Sequence, residues 1–253
     1  MPQQPSNQIC FHEDFRHGLL GLTCLSAALK KRAYLTAYFS SGDARFQRGH
    51  EFLSHQQFDV TTSYKDLRCR GKEFRNSTKD WPFQDSFDDE CMLGSFTEWA
   101  GREENRPFFA LVGAEVNFGV ASEDFNALRH TDLILGKLLR WLESRELVQS
   151  TLVVVMGDHG EAFGQHGQWL HASHIYEENI HVPLMLINRR LFKGEQYGNI
   201  GGLVDVAPTI MDIINIPFAS AWQGRSLFSS TRSQRAYFFA PILTFSLACV
   251  MGI

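Results

Sequence analysis

Asp158 and His159 are neighbours in the run Gly157-Asp158-His159-Gly160-Glu161, and a carboxylate beside an imidazole is a common ligand pair for a divalent metal. On a regular strand adjacent side chains point to opposite faces, so the two can share one cation only if the chain turns there. Gly157 and Gly160 permit such a turn. The competing reading is an aspartate that starts a turn with a surface histidine beside it. His166, His171 and His174 follow among Gly164, Gln165, Gly167 and Gln168. A flexible loop with several imidazoles suits an anionic substrate or a second metal, although each histidine taken singly reads as a surface-loop residue. Five of the ten histidines lie between His159 and His181. His181, just ahead of an apolar run, reads as structural, while Glu161, Glu177 and Glu178 fit either outer contacts to the site or helix-start charges. Ser150, Thr151 and Ser173 lack the glycine-flanked strand-turn-helix elbow of a nucleophile, and there is no phosphate-cradling P-loop.

Elements that could hold these residues in place are legible on both sides. The apolar run Leu152 to Met156 ends at Gly157 and predicts a strand buried on both faces, as inside a parallel sheet, with ligands expected beyond its carboxyl end. Upstream, the spacing predicts helices over Leu19 to Lys31 and Ala44 to His55, and strands over Tyr34 to Phe39 and Phe58 to Thr61. Ser63 to Asp89 reads as a polar, irregular surface loop carrying Arg68, Arg70, Lys72, Arg75 and Lys79. A helix over Asp85 to Trp99 precedes a buried strand over Pro107 to Gly113. A long helix over Glu123 to Leu147 should turn Leu128, Leu135, Leu139 and Leu142 inward. Val182 to Ile187 predicts another buried strand, and Val204 to Ile214 a helix with Pro208 in its first turn. This alternation argues for an α/β layer fold with a largely parallel sheet.

Composition narrows the function classes. The 253 residues are 44% hydrophobic and 21% charged, with a formal net charge of −4. That is an ordinary globular balance without the basic surplus expected of a nucleic-acid partner. The five cysteines form no Cys-x-x-Cys pair, so neither a disulfide framework nor a zinc ribbon is expected. Met1 to Cys10 lacks the apolar core of a secretory signal. Ala236 to Ile253 carries no charge and is long enough to be a membrane-span candidate, but Pro241 interrupts it. A strand over Ala236 to Ala240 followed by an irregular apolar tail is the expectation.

Thr151 to Glu161 resembles the late metal motif of the sulfatase family within the alkaline-phosphatase-like superfamily, which also contains phosphoethanolamine and lipoteichoic-acid transferases. The resemblance continues through His166-Gly167, His171, Tyr176-Glu177-Glu178-Asn179 and Val182-Pro183-Leu184. Val204-Asp205-Val206-Ala207-Pro208-Thr209-Ile210 and Trp222-Gln223-Gly224-Arg225-Ser226-Leu227 reinforce it, and Leu25 to Phe39 looks like the helix and strand that follow the family nucleophile. It implies an alkaline-phosphatase-like layered fold with a mostly parallel central sheet flanked by helices, here as an N-terminally truncated, C-terminal part. The implied organisation is an irregular segment 1–18, a partial domain 19–240 and a divergent apolar tail 241–253.

The resemblance assigns metal ligation to Asp158 and His159, and contact with the sulfate or phosphate oxygens to His171. The implied cofactor is a divalent ion, with calcium, zinc, manganese and magnesium not distinguished. The implied partner is an anionic sulfate or phosphate ester, with no nucleic acid, and with membrane association only through segments this sequence lacks. No Cys/Ser-x-Pro-x-Arg signature is present: Cys10 is followed by Phe11-His12-Glu13. Glu115-Val116-Asn117-Phe118 stands where the family places a substrate-side histidine. Two functions therefore stay open: a hydrolase or transferase of little or no activity in this form, and a non-catalytic remnant serving as a binding or partner module. A stand-alone metal-binding loop around His159 to His174 is a third. The sequence assigns no compartment.

Overall fold

The computed structural model describes residues 23–80, 82–102, 106–114, 121–169, 171, 174–198, 200–218, 220–230, 236–239 and 248–251. The irregular start at 1–18, the Glu115-Val116-Asn117-Phe118 segment and most of the 241–253 tail lie outside them. The chain divides between Trp141 and Leu142 into two units.

In the first unit, α1 (Leu25–Lys30) leads into β1 (Leu35–Ser40), the helix-to-strand step the sequence predicts. Next come α2 (Gly49–His55) and β2 (Val60–Thr62). The helix expected from Ala44 is broken, because Arg48 takes a left-handed φ of 63° between a short 3-10 turn and α2. The polar loop contains a small antiparallel hairpin, β3 (Glu73–Phe74) with β4 (Ser86–Phe87). Because Ser86 and Phe87 are used in that hairpin, α3 (Asp89–Arg102) starts later than the sequence suggests, behind an Asp88 carboxylate that accepts the Glu90 backbone N–H at 2.9 Å.

The hairpin also overturns the cysteine reading. Cys69 and Cys91 are bonded, with Cα atoms 5.7 Å apart across 22 residues of sequence. Spacing could not reveal a pair that only the fold brings together.

β5 (Phe108–Gly113) completes a three-stranded sheet in the order β2-β1-β5, parallel throughout, with Ala37 facing Ala110 on β5 and Val60 on β2. Against it packs an aromatic core in which Phe39, Phe96, Trp99, Phe108 and Trp141 meet mostly tilted or edge to face, 5.7–6.4 Å apart. Within α4 (Ala121–Ser144), Ile134 is buried in this core, and Leu138 and Trp141 pack against it. Leu128, expected inward, is 57% exposed.

The second unit carries β6 (Val153–Met156), α5 (Glu177–Ile180), β7 (Leu184–Ile187) and α6 (Val206–Ile213). β6 is only half-buried, its Met156 is exposed, and it pairs antiparallel with β7, Val153 facing Ile187 and Met156 facing Leu184. The expectation of a strand buried inside a parallel sheet is therefore corrected. A β-branched run encodes an extended chain but neither the direction of its neighbour nor the cover on its faces.

Asp205, fully buried, explains why two distant motifs occur together. Its carboxylate accepts the Gly202 N–H at 3.0 Å and the Arg225 N–H at 2.8 Å. A side chain at Gly224 would lie 1.8 Å from the Val204 carbonyl oxygen, so only glycine allows the second segment to close on the first. At the far end, β8 (Ala236–Phe239) forms as expected, and Ala248–Met251 makes an antiparallel partner, β9, where an irregular tail is predicted. No helix among the described residues is long and apolar enough to cross a membrane.

Candidate metal centre

β6 ends at Met156, and the chain turns at once through Gly157 to Gly160. Neither glycine has a positive φ, so conformational freedom is not what the turn uses. Close approach is: the Gly160 N–H donates to the Asn179 carbonyl at 3.0 Å, and a Cβ at Gly160 would sit 2.0 Å from the Glu178 carbonyl oxygen. The loop leaving β6 is thus pinned to α5, which fixes the positions of His159 and Glu161 on either side of that contact.

The turn brings Asp158 and His159 to one side, as metal sharing requires. Asp158 Oδ2 and His159 Nε2 are 3.7 Å apart, a separation that a single divalent ion can bridge with bonds of ordinary length. The other oxygen, Oδ1, accepts the His159 backbone N–H at 2.9 Å. His159 Nδ1 lies 2.9 Å from the Gly160 carbonyl oxygen. A carbonyl can only accept, so Nδ1 carries a proton, and the neutral ring presents its lone pair at Nε2. The Asp158 side chain is 86% exposed.

His171 joins them from ten residues beyond Glu161. Its ring stacks on that of His159 with centroids 4.2 Å apart and planes inclined by 23°. Its Nδ1 lies 2.8 Å from Glu161 Oε2, and the Glu161 side chain is only 12% exposed. One donor atom each from His159, Glu161 and His171 falls within 4.8 Å of the other two. Glu161 is the residue the sequence leaves undecided between an outer contact and a helix charge. The structure places it against His171, and only its place two residues after His159 hinted at that.

The remaining histidines go elsewhere. His166, at a left-handed φ of 52°, stacks on Tyr176 with centroids 4.1 Å apart, and its Nδ1 lies 2.9 Å from Glu178 Oε1. That contact with His166 holds the Glu178 carboxyl below its ordinary pKa. The His174 ring also lies nearly parallel to that of Tyr176, with centroids 5.8 Å apart. His181 Nδ1 lies 3.1 Å from the exposed Glu177 carboxylate. The imidazole-rich loop is therefore two groups: His159 and His171 with Glu161, and His166 and His174 with Tyr176. Chemically, the first group offers imidazole nitrogens and carboxylate oxygens to a divalent cation, with Asp158 as a further oxygen donor.

Comparison with known proteins bears on the same stretch. Residues 114–216 match the family model named Sulfatase. Human arylsulfatase K is 38% identical over 97 residues, which are 38% of this chain and 18% of that protein. The chain thus spans a small part of the relative's length. Among solved structures, a protein of the alkaline phosphatase superfamily from Vibrio parahaemolyticus superposes with a TM-score of 0.65 at 19% identity, covering 85% of this chain and 53% of that one. A protein solved in complex with its substrate D-glucosamine-2-N,6-O-disulfate superposes with a TM-score of 0.62 at 14% identity, covering 92% and 72%. The fold is accordingly the alkaline-phosphatase-like α/β fold, with a parallel sheet flanked by helices.

Proposed function

We propose that the chain, whose residues 114–216 match the Sulfatase family model, is a sulfatase-family member of the alkaline-phosphatase-like superfamily and carries the late portion of a metal-dependent site for cleavage or transfer of a sulfate or phosphate ester. In this reading Asp158 and His159 hold a divalent cation, and His171 contacts the anionic oxygens of the ester. The observation that carries it is the 3.7 Å pairing of Asp158 Oδ2 with a His159 Nε2 whose tautomer is set by the Gly160 carbonyl. A cation held there supplies Lewis-acid polarisation of an ester oxygen. His171 neutralises charge on the remaining oxygens, and Glu161 keeps its ring turned to do so. The arylsulfatase relative and the sugar-disulfate complex favour a sulfate ester as the substrate class.

These 253 residues contain no Cys/Ser-x-Pro-x-Arg run from which the family nucleophile is made, so the chain as given is expected to have little or no turnover. That same observation favours a second reading, a non-catalytic remnant acting as a binding module. Calorimetric titration with calcium and manganese, in wild type and Asp158→Ala, separates the two. Stoichiometric binding lost in Asp158→Ala supports a working half-site, and no binding by wild type supports the remnant. Brisk metal-dependent hydrolysis of an aryl sulfate by this chain alone would refute the low-turnover expectation.

A further inference from the structure

We propose that the cationic segment Arg68-Cys69-Arg70-Gly71-Lys72 is a docking surface for a linear sulfated polysaccharide. The inference rests on the reading above only in taking a sulfate ester as the substrate class, and it uses none of the residues at the end of β6.

Charge marks the segment out. Between Lys65 and Lys79 stand six lysines and arginines against two carboxylates, in a chain whose formal net charge is −4. All six cations are exposed. Both carboxylates are engaged: Asp66 accepts the Ser63 N–H at 3.0 Å, and Glu73 pairs with Arg75 at 3.0 Å and accepts the Tyr64 hydroxyl proton. Elsewhere in this unit Lys30, Arg45, Arg48, Arg102 and Lys137 each hold a carboxylate, whereas Arg68, Arg70 and Lys72 make no ion pair among the described residues. Such cations attract an anion without first giving up a partner.

The fold keeps the three in place. Leu67, just ahead of them, is buried, and Cys69, between the two arginines, is bonded to Cys91 in the first turn of α3. Gly71 lies so close to that bond that a Cβ would sit 2.5 Å from Cys91 Sγ. The Lys72 carbonyl accepts the Asp88 N–H at 2.7 Å, and β3 begins at the next residue. The Asp88 carboxylate is itself occupied, accepting the Glu90 N–H at 2.9 Å and facing His130 Nε2 at 3.5 Å. The Arg68 guanidinium donates to the Lys65 carbonyl at 2.9 Å, and Lys72 Nζ lies 4.6 Å from the centre of the Phe74 ring. Four residues of chain span at most about 14 Å, so the three cations meet one stretch of a polymer together. A backbone stapled on both sides of Arg70 has little freedom left to lose on binding.

The partner's chemistry follows from what the surface offers and omits. Among the described residues from 65 to 80 no large apolar side chain is exposed. Docking on a bilayer uses apolar anchors beside the cations, and single-stranded nucleic acid uses stacking aromatics. Two guanidinium groups and an ammonium instead offer paired and single N–H donors to tetrahedral anion oxygens. A sulfate ester carried on repeating sugars brings further sulfates along the same chain, and a short row of cations fits that partner.

The test measures binding of a heparin oligosaccharide to the full chain by calorimetry, in wild type, R68Q/R70Q/K72Q and K31Q/R32Q/R106Q, the last losing equal charge at other exposed positions. Circular dichroism checks that both variants are folded. Arginine Nε–H NMR signals are followed in the wild-type protein, a readout that no substitution can disturb. Each exposed charge pair is worth roughly a two- to fivefold change in affinity, so R68Q/R70Q/K72Q should weaken binding at least about tenfold. K31Q/R32Q/R106Q should change it by less than about twofold at physiological salt, where distant charges are screened. The Arg68 and Arg70 signals should move, and a desulfated oligosaccharide of equal length should not bind. The proposal is overturned if wild type does not bind, if the two triple variants lose affinity equally, if the two arginine signals stay still, or if single-stranded DNA of matched charge binds as tightly. Absent oligosaccharide binding beside stoichiometric cation binding that Asp158→Ala abolishes would sink this proposal and leave the preceding reading standing. Oligosaccharide binding that needs the three cations, in a chain that takes up no divalent ion, would do the reverse.

Discussion

Replacing Gly160 by alanine tests the contact on which the centre's geometry depends. The added methyl would lie 2.0 Å from the Glu178 carbonyl oxygen, 2.9 Å from its carbon and 3.1 Å from the Asn179 carbon. All three are backbone atoms, so no side chain can rotate away to make room. Ordinary contact begins near 3.4 Å, and the strand-end loop and α5 must therefore separate by on the order of 1 Å. That movement stretches the 3.0 Å Gly160 to Asn179 hydrogen bond and carries His159 and Glu161 with it. Overpacking of this kind costs about 1–3 kcal/mol, and the lost hydrogen bond lies within that range. Urea denaturation followed by circular dichroism should show a lower midpoint with an unchanged slope. Metal ligands tolerate only about 0.2 Å of error, so cation affinity should fall by more than the loss of stability suggests. A Gly160→Ala protein with the wild-type midpoint and wild-type metal affinity would refute the claim that this close approach organises the site.

Two further outcomes concern the first unit. Removing the disulfide with Cys69→Ala/Cys91→Ala frees a loop of 22 residues, and loop-closure entropy sets the loss at about 3 kcal/mol, read as a lower urea midpoint that reductant no longer shifts; a midpoint equal to that of the oxidised wild type would contradict it. Tyr64 donates its hydroxyl proton to Glu73, and that hydrogen bond, with burial, pushes the phenol pKa up to about 12. Because the folded value lies above the ordinary value of 10.0, the neutral phenol's contribution is fully present below about pH 10 and is lost as the pH rises through about 12. Absorbance titration of the phenolate should show one late-titrating tyrosine that returns to the ordinary range in Glu73→Gln, and no late tyrosine in wild type would count against the pairing.

Periodicity carries most of the element order. The apolar runs at Leu35–Ser40, Phe108–Gly113, Val153–Met156 and Leu184–Ile187 are strands, and Val206–Ile213 is a helix with Pro208 in its first turn, because side-chain period and backbone preference are local properties. The misses are non-local. The direction of the β6 and β7 pairing, the β3 and β4 hairpin inside a polar loop and the exposure of Leu128 all depend on what another segment does. The two motifs around Asp205 and Gly224 can be matched to a family by eye, yet the buried carboxylate that ties them together is visible only in the fold.

The centre divides in the same way. The sequence alone determined that a carboxylate and an imidazole stand together at a strand end, that further histidines follow within reach, and that no nucleophile motif accompanies them, since these are facts of residue type and spacing. Only the tertiary structure decided that His171 rather than His166 stacks on His159, that Glu161 is its partner, and that Gly160 serves by lacking a side chain rather than by adopting a positive φ. The physical reason is that a hydrogen bond or a steric contact across ten or eighteen residues is set by where α5 packs against the loop, and no local pattern encodes that distance.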